Sequence, residues 1–141
     1  GRRNPQIRLL RLRARAHQLW VSEGPVVLAG DYNVIPFDRD TFSVRAMQDD
    51  ALMQPESRSA YRALLGDGWT DSLASRHPAG GVWTYWDYQA GAWQKNNGIR
   101  IDHLLMSPQA ADRFVAVGID KHVRGWEKPS DHVPVWVRLA A

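Results

Sequence analysis

The sequence predicts an α/β fold in which helices cover a β-sheet, and two neighbouring segments carry the prediction. Residues 5–21 repeat apolar side chains at close to the 3.6-residue period of a helix, with arginines on the opposite side. After Gly24 and Pro25, the short β-branched run from Val26 to Ala29 is typical of a buried strand. A helix that leads into a buried strand indicates layered α/β packing. The 141 residues suffice for one domain with one core.

The remaining elements follow in chain order, with turn residues between them. They are an irregular or weakly helical segment at 37–55, a helix from Pro55, a β-prone aromatic run at 82–88, a strand at 99–107, a short helix from Pro108 through Ala111, and strands at 114–119 and 135–139. Ser57 is expected to cap the second helix, and Asp71 to cap the turn that begins at Ser72. Asp38 and Asp40 are expected to be helix caps or surface charges.

The composition excludes several classes of protein. The chain has no cysteine, which excludes disulfides and cysteine-ligated zinc and is compatible with a reducing, cytoplasmic location. No apolar run is long enough to span a membrane, and no signal-peptide pattern occurs. The net charge is +3, but residues 1–24 hold six Arg against one Glu. The positive charge therefore belongs to the first helix and is interpreted as its solvated face.

Two polar residues at the end of the first strand are the first candidates for a functional site. Asp31 and Asn33 follow Gly30 at a spacing of two, so both side chains point the same way if the extended backbone continues. Pro36 then ends the strand pairing. Both residue types are also common turn formers. This motif alone therefore does not distinguish a site from a turn.

Two later segments favour a functional interpretation. Asp102 interrupts an otherwise apolar strand, and a buried carboxylate needs a hydrogen-bonding or ionic partner. Asp131 and His132 lie together in a loop ahead of the final strand. Oxygen ligands without thiols favour a hard cation such as Mg²⁺ or Mn²⁺. Carboxylates, an amide and a histidine around such an ion are consistent with hydrolysis of a phosphate ester.

Three motifs carry a resemblance to a known family. They are Gly-Asp-Tyr-Asn at 30–33, Asn-Asn-Gly-Ile-Arg-Ile-Asp at 96–102 and Ser-Asp-His-Val-Pro-Val at 130–135. In this order they resemble the second half of the exonuclease III branch of AP endonucleases, within the endonuclease/exonuclease/phosphatase superfamily. The resemblance covers almost the whole chain. It implies that 1–141 is a single α/β domain with a mixed, largely antiparallel β-sheet covered by helices, one half of a four-layer αββα sandwich.

The resemblance also implies a role for each candidate residue. Asp31 resembles the residue that orients or deprotonates the attacking water, and Asn33 the residue that hydrogen-bonds the scissile phosphate. Asp102 resembles the partner that orients His132, which then contacts a phosphate oxygen. Asp131 resembles a carboxylate at the Mg²⁺ or Mn²⁺ site. The implied activities are cleavage 5′ to an abasic site, 3′ to 5′ exonuclease action on duplex DNA, and removal of 3′-phosphates.

Four further residues are implied to bind the substrate, which is duplex DNA with abasic sites or 3′ ends. Tyr85 falls where the family places an aromatic wall of the abasic-sugar pocket, although this branch usually has Trp or Phe there. Ile99 and Ile101 fall at the other edge of that pocket. Asn96, which opens the second motif, is assigned to the same substrate-binding group.

The family site also needs residues that the three motifs do not supply. Its first half provides an Asn and a Glu to the metal and a Tyr near the phosphate. The chain is therefore expected to be a half-length form whose apolar sheet face is covered by a partner half or by a second copy. Two alternatives stay open. One is a phosphatase or phosphodiesterase of the same superfamily that acts on another ester, such as a lipid or inositol phosphate. The other is a catalytically inactive fragment that binds DNA or assembles with another chain.

Overall fold

The computed structural model of the chain describes residues 5–141, in which helices and strands are interspersed. The helices are α1 (Pro5–Val21), α2 (Val44–Met47), α3 (Pro55–Gly66), α4 (Ser72–Arg76), α5 (Ala92–Lys95) and α6 (Pro108–Ala111). The strands are β1 (Val27–Asp31), β2 (Thr70–Asp71), β3 (Asp102–Met106), β4 (Phe114–Ile119) and β5 (Val135–Leu139). Within 5–141, no helix combines the length and the apolar character that crossing a bilayer requires.

Two antiparallel sheets organise these elements. In the first sheet β3 lies between β1 and β2, and in the second β4 pairs with β5. The register of β1 and β3 places Asp31 opposite Asp102 and Gly30 opposite His103. Two of the candidate carboxylates therefore meet at one end of the first sheet. The predicted α/β class, with a largely antiparallel sheet and covering helices, is confirmed.

The main core lies between α1, α3 and the first sheet. Its buried members are Leu9, Ala16, Tyr32, Val34, Tyr61, Leu64, Trp69 and Leu105. A smaller cluster consists of Ile35, Met53, Ile99 and Ile101, with Tyr85 packed against it. Because Tyr32 and Val34 belong to the first cluster, core side chains anchor the chain on both sides of Asn33. Burial of one such large side chain stabilises the fold by about 1.5–3 kcal/mol.

Most of the predicted elements are confirmed. The helix at 5–21, the short helix α6 and the strands β4 and β5 have the predicted bounds. Asp71 caps α4 as predicted, because its Oδ1 accepts a hydrogen bond of 3.1 Å from the N–H of Ala74. Arg2 and Arg3, which contribute to the predicted basic segment at the N-terminus, lie outside the described residues.

The first strand is not the buried strand that the sequence predicts. Val27 and Leu28 are half-buried, while Ala29, Gly30 and Asp31 are exposed. The reason is the position of β1, which lies at an edge of the three-stranded sheet and has β3 on one side. A short apolar run does not distinguish an edge strand from a central one.

The aromatic run at 82–88 is not a strand either. Tyr85 alone forms isolated bridges, to Ile99 and to His132. Its neighbour Thr84 is fully buried and forms backbone hydrogen bonds with two segments. Its N–H donates to the carbonyl of Ile99, and its carbonyl accepts from the N–H of Val133. Tyr85 pairs with each of these two segments at a single residue, so neither pairing extends into a ladder, and β propensity does not decide the structure here.

Two predicted capping or surface roles are also wrong. Helix α3 begins with Pro55 at its first position, and Ser57 is buried inside the helix and does not cap it. Asp40 is not a surface charge, since it is 2% exposed. The alternative role as a cap is confirmed, because its Oδ2 accepts a hydrogen bond of 3.2 Å from the N–H of Phe37 ahead of the 3-10 turn Asp38–Asp40. The carboxylate of Asp40 also accepts hydrogen bonds of 2.9 and 3.1 Å from the buried guanidinium of Arg100. The sequence does not reveal this partner, which lies 60 residues away.

Candidate active site

The turn after β1 holds Asp31 and Asn33 at the end of the first sheet where β1 ends and β3 begins. This end of the sheet, with Asp31, Asn33, Asp102, Asp131 and His132, is called the rim. Asn33 has φ +51°, so the backbone does not continue extended beyond Asp31, and the condition for strand alternation is not met. Instead, the N–H of Asn33 donates to Asp31 Oδ1 over 2.8 Å. A turn, and not strand alternation, therefore brings the two residues together. A left-handed conformation at a residue other than glycine costs about 1–3 kcal/mol, which surrounding contacts must offset.

Asp102 and His132 form a hydrogen-bonded pair across the same rim. Asp102 opens β3 and is 9% exposed, while His132 lies in the loop before β5. Nδ1 of His132 lies 2.9 Å and 3.1 Å from the two carboxylate oxygens of Asp102, to which it donates. Nε2 of the same ring lies 3.7 Å from Asp31 Oδ2. His132 is thus placed between two carboxylates, and Asp102 has the partner that its burial requires.

Thr84 connects the two segments that carry this pair. Its hydroxyl accepts hydrogen bonds of 3.1 Å from the backbone N–H groups of Ile101 and Asp102. Its carbonyl accepts one of 3.0 Å from Val133, the residue after His132. Sequence reasoning missed this residue, because a threonine inside an aromatic run carries no signal of two distant partners.

The electrostatics of the rim favour an imidazolium beside carboxylates. The hydrogen bond from His132 to Asp102 raises the pKa of His132, and the charges of Asp102, Asp31 and Asp131 add to this effect against burial, which lowers it. Burial is the main cause that raises the pKa of Asp31, and the charge of Asp102 contributes. The hydrogen bond from Asn33 and the charge of His132 oppose that rise. His132 therefore holds its proton more tightly than an ordinary histidine, and the neighbouring carboxylate of Asp31 is more basic than an ordinary aspartate.

Asp131 lies next to this group but outside it. Among residues 5–141, the acidic and histidine residues whose ligand atoms all lie within 4.8 Å of one another are Asp31, Asp102 and His132. The backbone carbonyl of Asp131 accepts a hydrogen bond of 3.0 Å from the N–H of Trp86. Its carboxylate is close enough to raise the pKa of His132. The role of Asp131 as a metal ligand stays a prediction.

Tyr85 and Ile99 line a cavity of about 230 Å³ beside the rim. The ring of Tyr85 contacts that of His132 edge to face, with 5.1 Å between the ring centres. Ile101 is 3% exposed and belongs to the core cluster behind Ile99, so it does not line this cavity. Tyr85 therefore both lines this cavity and contacts the histidine.

Asn96 is the predicted substrate residue that the structure separates from the others. Its Oδ1 accepts a hydrogen bond of 3.0 Å from Nε1 of Trp86, and the residue lines a different groove together with Trp83. The following residue, Asn97, lines the cavity beside Tyr85. The motif at 96–102 thus places its second asparagine, not its first, at this cavity.

A second, larger groove of about 450 Å³ opens between α1 and β1. Leu9, Leu12 and Leu28 supply apolar walls, while Asp31 and Asn33 lie at its polar part. Arg8 also lines this groove, and its charge lowers the pKa of Asp31. The rim is therefore accessible from the side of β1 that has no strand among the described residues.

The charges of the rim suit a hard divalent cation. Three carboxylates, those of Asp31, Asp102 and Asp131, act on one imidazole, so negative charge exceeds positive charge even when His132 is protonated. No thiol is present in the chain. Oxygen donors with uncompensated negative charge are the ligands that Mg²⁺ and Mn²⁺ prefer.

This fold and rim define a class of α/β proteins that place an Asp–His pair, with further carboxylates, at one end of an antiparallel sheet. Within that class, the chain belongs to the Endonuclease/Exonuclease/phosphatase family, whose signature matches residues 2–132. The predicted family resemblance is confirmed.

The relatives of this chain include DNA repair nucleases. Exodeoxyribonuclease III of Haemophilus influenzae is 36% identical over 122 residues, which are 82% of this chain and 46% of that protein. DNA repair nuclease APEX1 of Danio rerio is 32% identical over 117 residues, which are 82% of this chain and 36% of that protein. The chain thus spans less than half the length of these two relatives.

Solved structures show the same likeness. The 3′–5′ exonuclease NExo of Neisseria meningitidis superposes with a TM-score of 0.89 at 33% identity, over 94% of this chain and 52% of that one. An AP endonuclease of Archaeoglobus fulgidus superposes with a TM-score of 0.84 at 31% identity, over 97% of this chain and 55% of that one. A further structure in this group, 3′ phosphatase NExo (D146N) from Neisseria, is bound to a product DNA hairpin.

Proposed function

We propose that the chain carries the histidine part of a DNA repair phosphodiesterase of the exodeoxyribonuclease III and AP endonuclease type. The observation that carries the proposal is the position of His132, with Asp102 at 2.9 Å from Nδ1 and Asp31 at 3.7 Å from Nε2. An imidazolium held in one orientation by a carboxylate can stabilise charge that develops on a phosphate. The nuclease relatives support DNA as the substrate.

Each residue of the rim has one task in the proposed reaction. Asp31 orients the attacking water and takes its proton as the water oxygen bonds to phosphorus and the bond to the leaving sugar oxygen breaks. The partial desolvation that raises the pKa of Asp31 makes it a better base than an aspartate with the ordinary pKa. Asn33 donates its side-chain amide to the phosphate, and His132 donates from Nε2. Asp102 keeps His132 in the orientation that this requires.

A divalent cation, Mg²⁺ or Mn²⁺, would be held by Asp131 and would neutralise charge on the phosphate. One carboxylate makes a poor cage for such an ion, so the proposal includes further ligands from a partner half or from a second copy of the chain. The substrate is duplex DNA with abasic sites or 3′ ends. Tyr85 and Ile99, which line the cavity beside His132, would contact the sugar at the cleavage point.

Cleavage assays with defined DNA duplexes test this proposal. Purified chain is incubated with Mg²⁺ and duplexes that contain an abasic site, a 3′-phosphate or an unmodified 3′ end. A separately made first half of the Haemophilus influenzae relative is included in a parallel series. We expect cleavage of one or more duplexes, and its loss on chelation of the metal.

Two controls identify the source of any cleavage. The variant His132→Ala should reduce it by about 100-fold or more, as expected for the loss of a group that acts in the transition state. His77→Ala, on the exposed C-cap of α4, should leave it unchanged. Metal-dependent hydrolysis of an inositol phosphate without cleavage of any duplex would favour another phosphoesterase of the family. DNA binding without hydrolysis in either series would favour an inactive fragment.

A further inference from the structure

A buried polar network lies beneath the proposed site. Arg100 donates from Nε and Nη2 to the carboxylate of Asp40 at 2.9 Å and 3.1 Å, and from Nη1 to the carboxylate of Asp71 at 2.9 Å and 3.0 Å. The hydroxyl of Tyr61 donates to Asp71 over 2.6 Å. Nη1 of Arg100 also lies 3.0 Å from Nδ1 of His103. These five side chains are no more than 5% exposed, and the proposed mechanism uses none of them.

His103 connects this network to the turn that carries Asn33. Its Nε2 lies 3.0 Å from the carbonyl oxygen of Val34, the residue after Asn33. A guanidinium only donates hydrogen bonds and a carbonyl only accepts them. Nδ1 of His103 must therefore accept from Arg100, and Nε2 must carry the hydrogen. The ring is neutral and in one tautomer, which agrees with its burial.

The backbone leaves the strand at this turn, where Asn33 has φ +51°, so no strand ladder holds it there. The chain on either side is held by backbone hydrogen bonds, from Tyr32 to Ile101 at 3.0 Å and from Ile35 to Leu52 at 2.8 Å. Between them, His103 holds the carbonyl of Val34, a residue with no exposed surface. Removal of this donor leaves a buried carbonyl without its partner, and the turn can relieve that only by moving.

We propose that His103 is a positioning residue for Asn33. Successive residues of a strand point to opposite faces, so β3 serves both parts of the site. Asp102 orients His132 on one face, and His103 fixes the turn of Asn33 on the other. The expected effect on the rate rests on the proposed function, whereas the effect on the turn does not.

Kinetic comparison of two matched variants tests the effect on the rate. His103→Phe keeps a planar ring but removes the donor to Val34, so kcat for DNA cleavage should fall by about tenfold or more with KM nearly unchanged, since a misplacement of about 1 Å can cost about 100-fold. Tyr61→Phe removes the hydrogen bond to Asp71 in the same buried network and leaves the hydrogen bond from His103 to the carbonyl of Val34 in place. Its kcat should stay within about twofold of the wild type. His103→Gln, whose amide can donate to the carbonyl, should recover part of the loss.

Nitrogen-15 NMR of the chain without DNA or metal tests the effect on the turn. The wild type at neutral pH should show His103 with a protonated Nε2 and a bare Nδ1. His103→Phe should shift the backbone and side-chain amide signals of Asn33, and Tyr61→Phe should leave them in place. This measurement does not depend on turnover, so it decides the positioning role even if the wild type cleaves no phosphodiester and the proposed function fails.

Three outcomes would overturn the proposal. The first is the opposite tautomer, or an imidazolium, at His103 of the wild type. The second is an unchanged set of Asn33 signals in His103→Phe, or in His103→Leu, which also lacks a donor, where the phenylalanine variant does not fold. The third is an equal loss of kcat in His103→Phe and Tyr61→Phe, which would mean that the network supports the fold as a whole and not the turn in particular.

Discussion

At the scale of single residues, the central feature is the contact between His132 and Asp102. The carboxylate accepts from Nδ1 and lies within a rim that contains two further carboxylates. The hydrogen bond is the largest cause that raises the pKa of His132. The raised pKa of His132 therefore comes mainly from the Asp102 side chain, and Asp31 and the neighbouring loop residue Asp131 add to it.

The variant Asp102→Asn should lower the pKa of His132. Asparagine has a similar shape but no charge, so it removes both the charged acceptor and the Coulomb attraction that favour the imidazolium. A proton NMR titration of the His132 ring, assigned by its loss in His132→Gln, measures the pKa. The exposed variant Asp112→Asn is the matched control and should leave the titration unchanged. An unchanged midpoint in Asp102→Asn would show that the pair is a geometric contact without electrostatic consequence.

The same pair should act as one unit in catalysis. His132→Ala and Asp102→Ala should lower kcat to a similar extent, and the double variant should lose little more than either alone. Circular dichroism of each variant would show whether the fold is kept. Losses that multiply in the double variant would indicate two independent contributions and would contradict the pairing.

The site residues differ in how far the sequence could predict them. A carboxylate inside an apolar strand is a strong signal, because burial of Asp102 demands a partner, and His132 is that partner. The extended backbone on which the alignment of Asp31 with Asn33 was conditional is not present, since asparagine also tolerates the left-handed conformation. His103 gave no signal: a histidine next to Asp102 in a strand does not reveal which distant carbonyl it will meet.

At the scale of secondary-structure elements, the salt bridge between Arg100 and Asp40 connects the segment before β3 to the segment after β1. Asp40→Asn keeps the shape of the side chain but removes the charge opposite a guanidinium that is 1% exposed. We expect the free energy of unfolding to fall by about 3 kcal/mol, since the removal of one partner leaves a buried charge less compensated. Urea denaturation measures this change. Asp67→Asn, which breaks the exposed bridge to Arg13, is the control and should have little effect.

His103 should make the stability of this region depend on pH. Burial and the charge of Arg100 lower its pKa in the folded chain to about 4, against 6.5 for an ordinary histidine. The unfolded chain therefore binds the proton first, so the contribution of the neutral ring is complete above pH 6.5 and is lost as the pH falls toward about 4.

The loss reaches about 3 kcal/mol below about pH 4, because each pKa unit corresponds to about 1.4 kcal/mol, and about 2 kcal/mol of it falls between about pH 7 and about pH 5. The change is measured by urea denaturation of the wild type and of His103→Gln, each at about pH 7 and at about pH 5. The glutamine variant lacks the titrating ring, so its stability should change less between the two conditions. Equal changes in both proteins would assign the pH dependence to other groups.

Elements with local signals were predictable, and elements decided by distant contacts were not. The bounds of α6, β4 and β5 follow from a Ser–Pro cap and from runs of β-branched residues, and the structure confirms them. The run at 82–88 has the highest aromatic content of the chain, yet it is irregular, because Thr84 divides its hydrogen bonds between two segments, 99–102 and Val133. Its propensity for strands was real, but the antiparallel pairings of Tyr85 with Ile99 and with His132 each stop after a single residue.

At the scale of the whole molecule, the order of strands leaves β1 as an edge. Among residues 5–141 it pairs with β3 alone, and the groove of about 450 Å³ beside it combines leucine side chains with the polar rim. Edge strands and apolar grooves next to a site are surfaces on which a further segment can pack. The chain also spans 46% of the length of the Haemophilus influenzae relative.

A complementing segment should therefore raise activity in a saturable way. With Mg²⁺ and an abasic duplex, cleavage by a fixed amount of chain should increase as the separately made first half of that relative is added, and should level off once all chains are bound. Hydrogen exchange should show new protection of the β1 amides over the same range. If a second copy supplies the missing ligands instead, the rate will rise as the square of the chain concentration and the added half will have no effect. A rate that is linear in the chain alone, with no response to the added half, would mean that the carboxylates of this rim hold the metal without help.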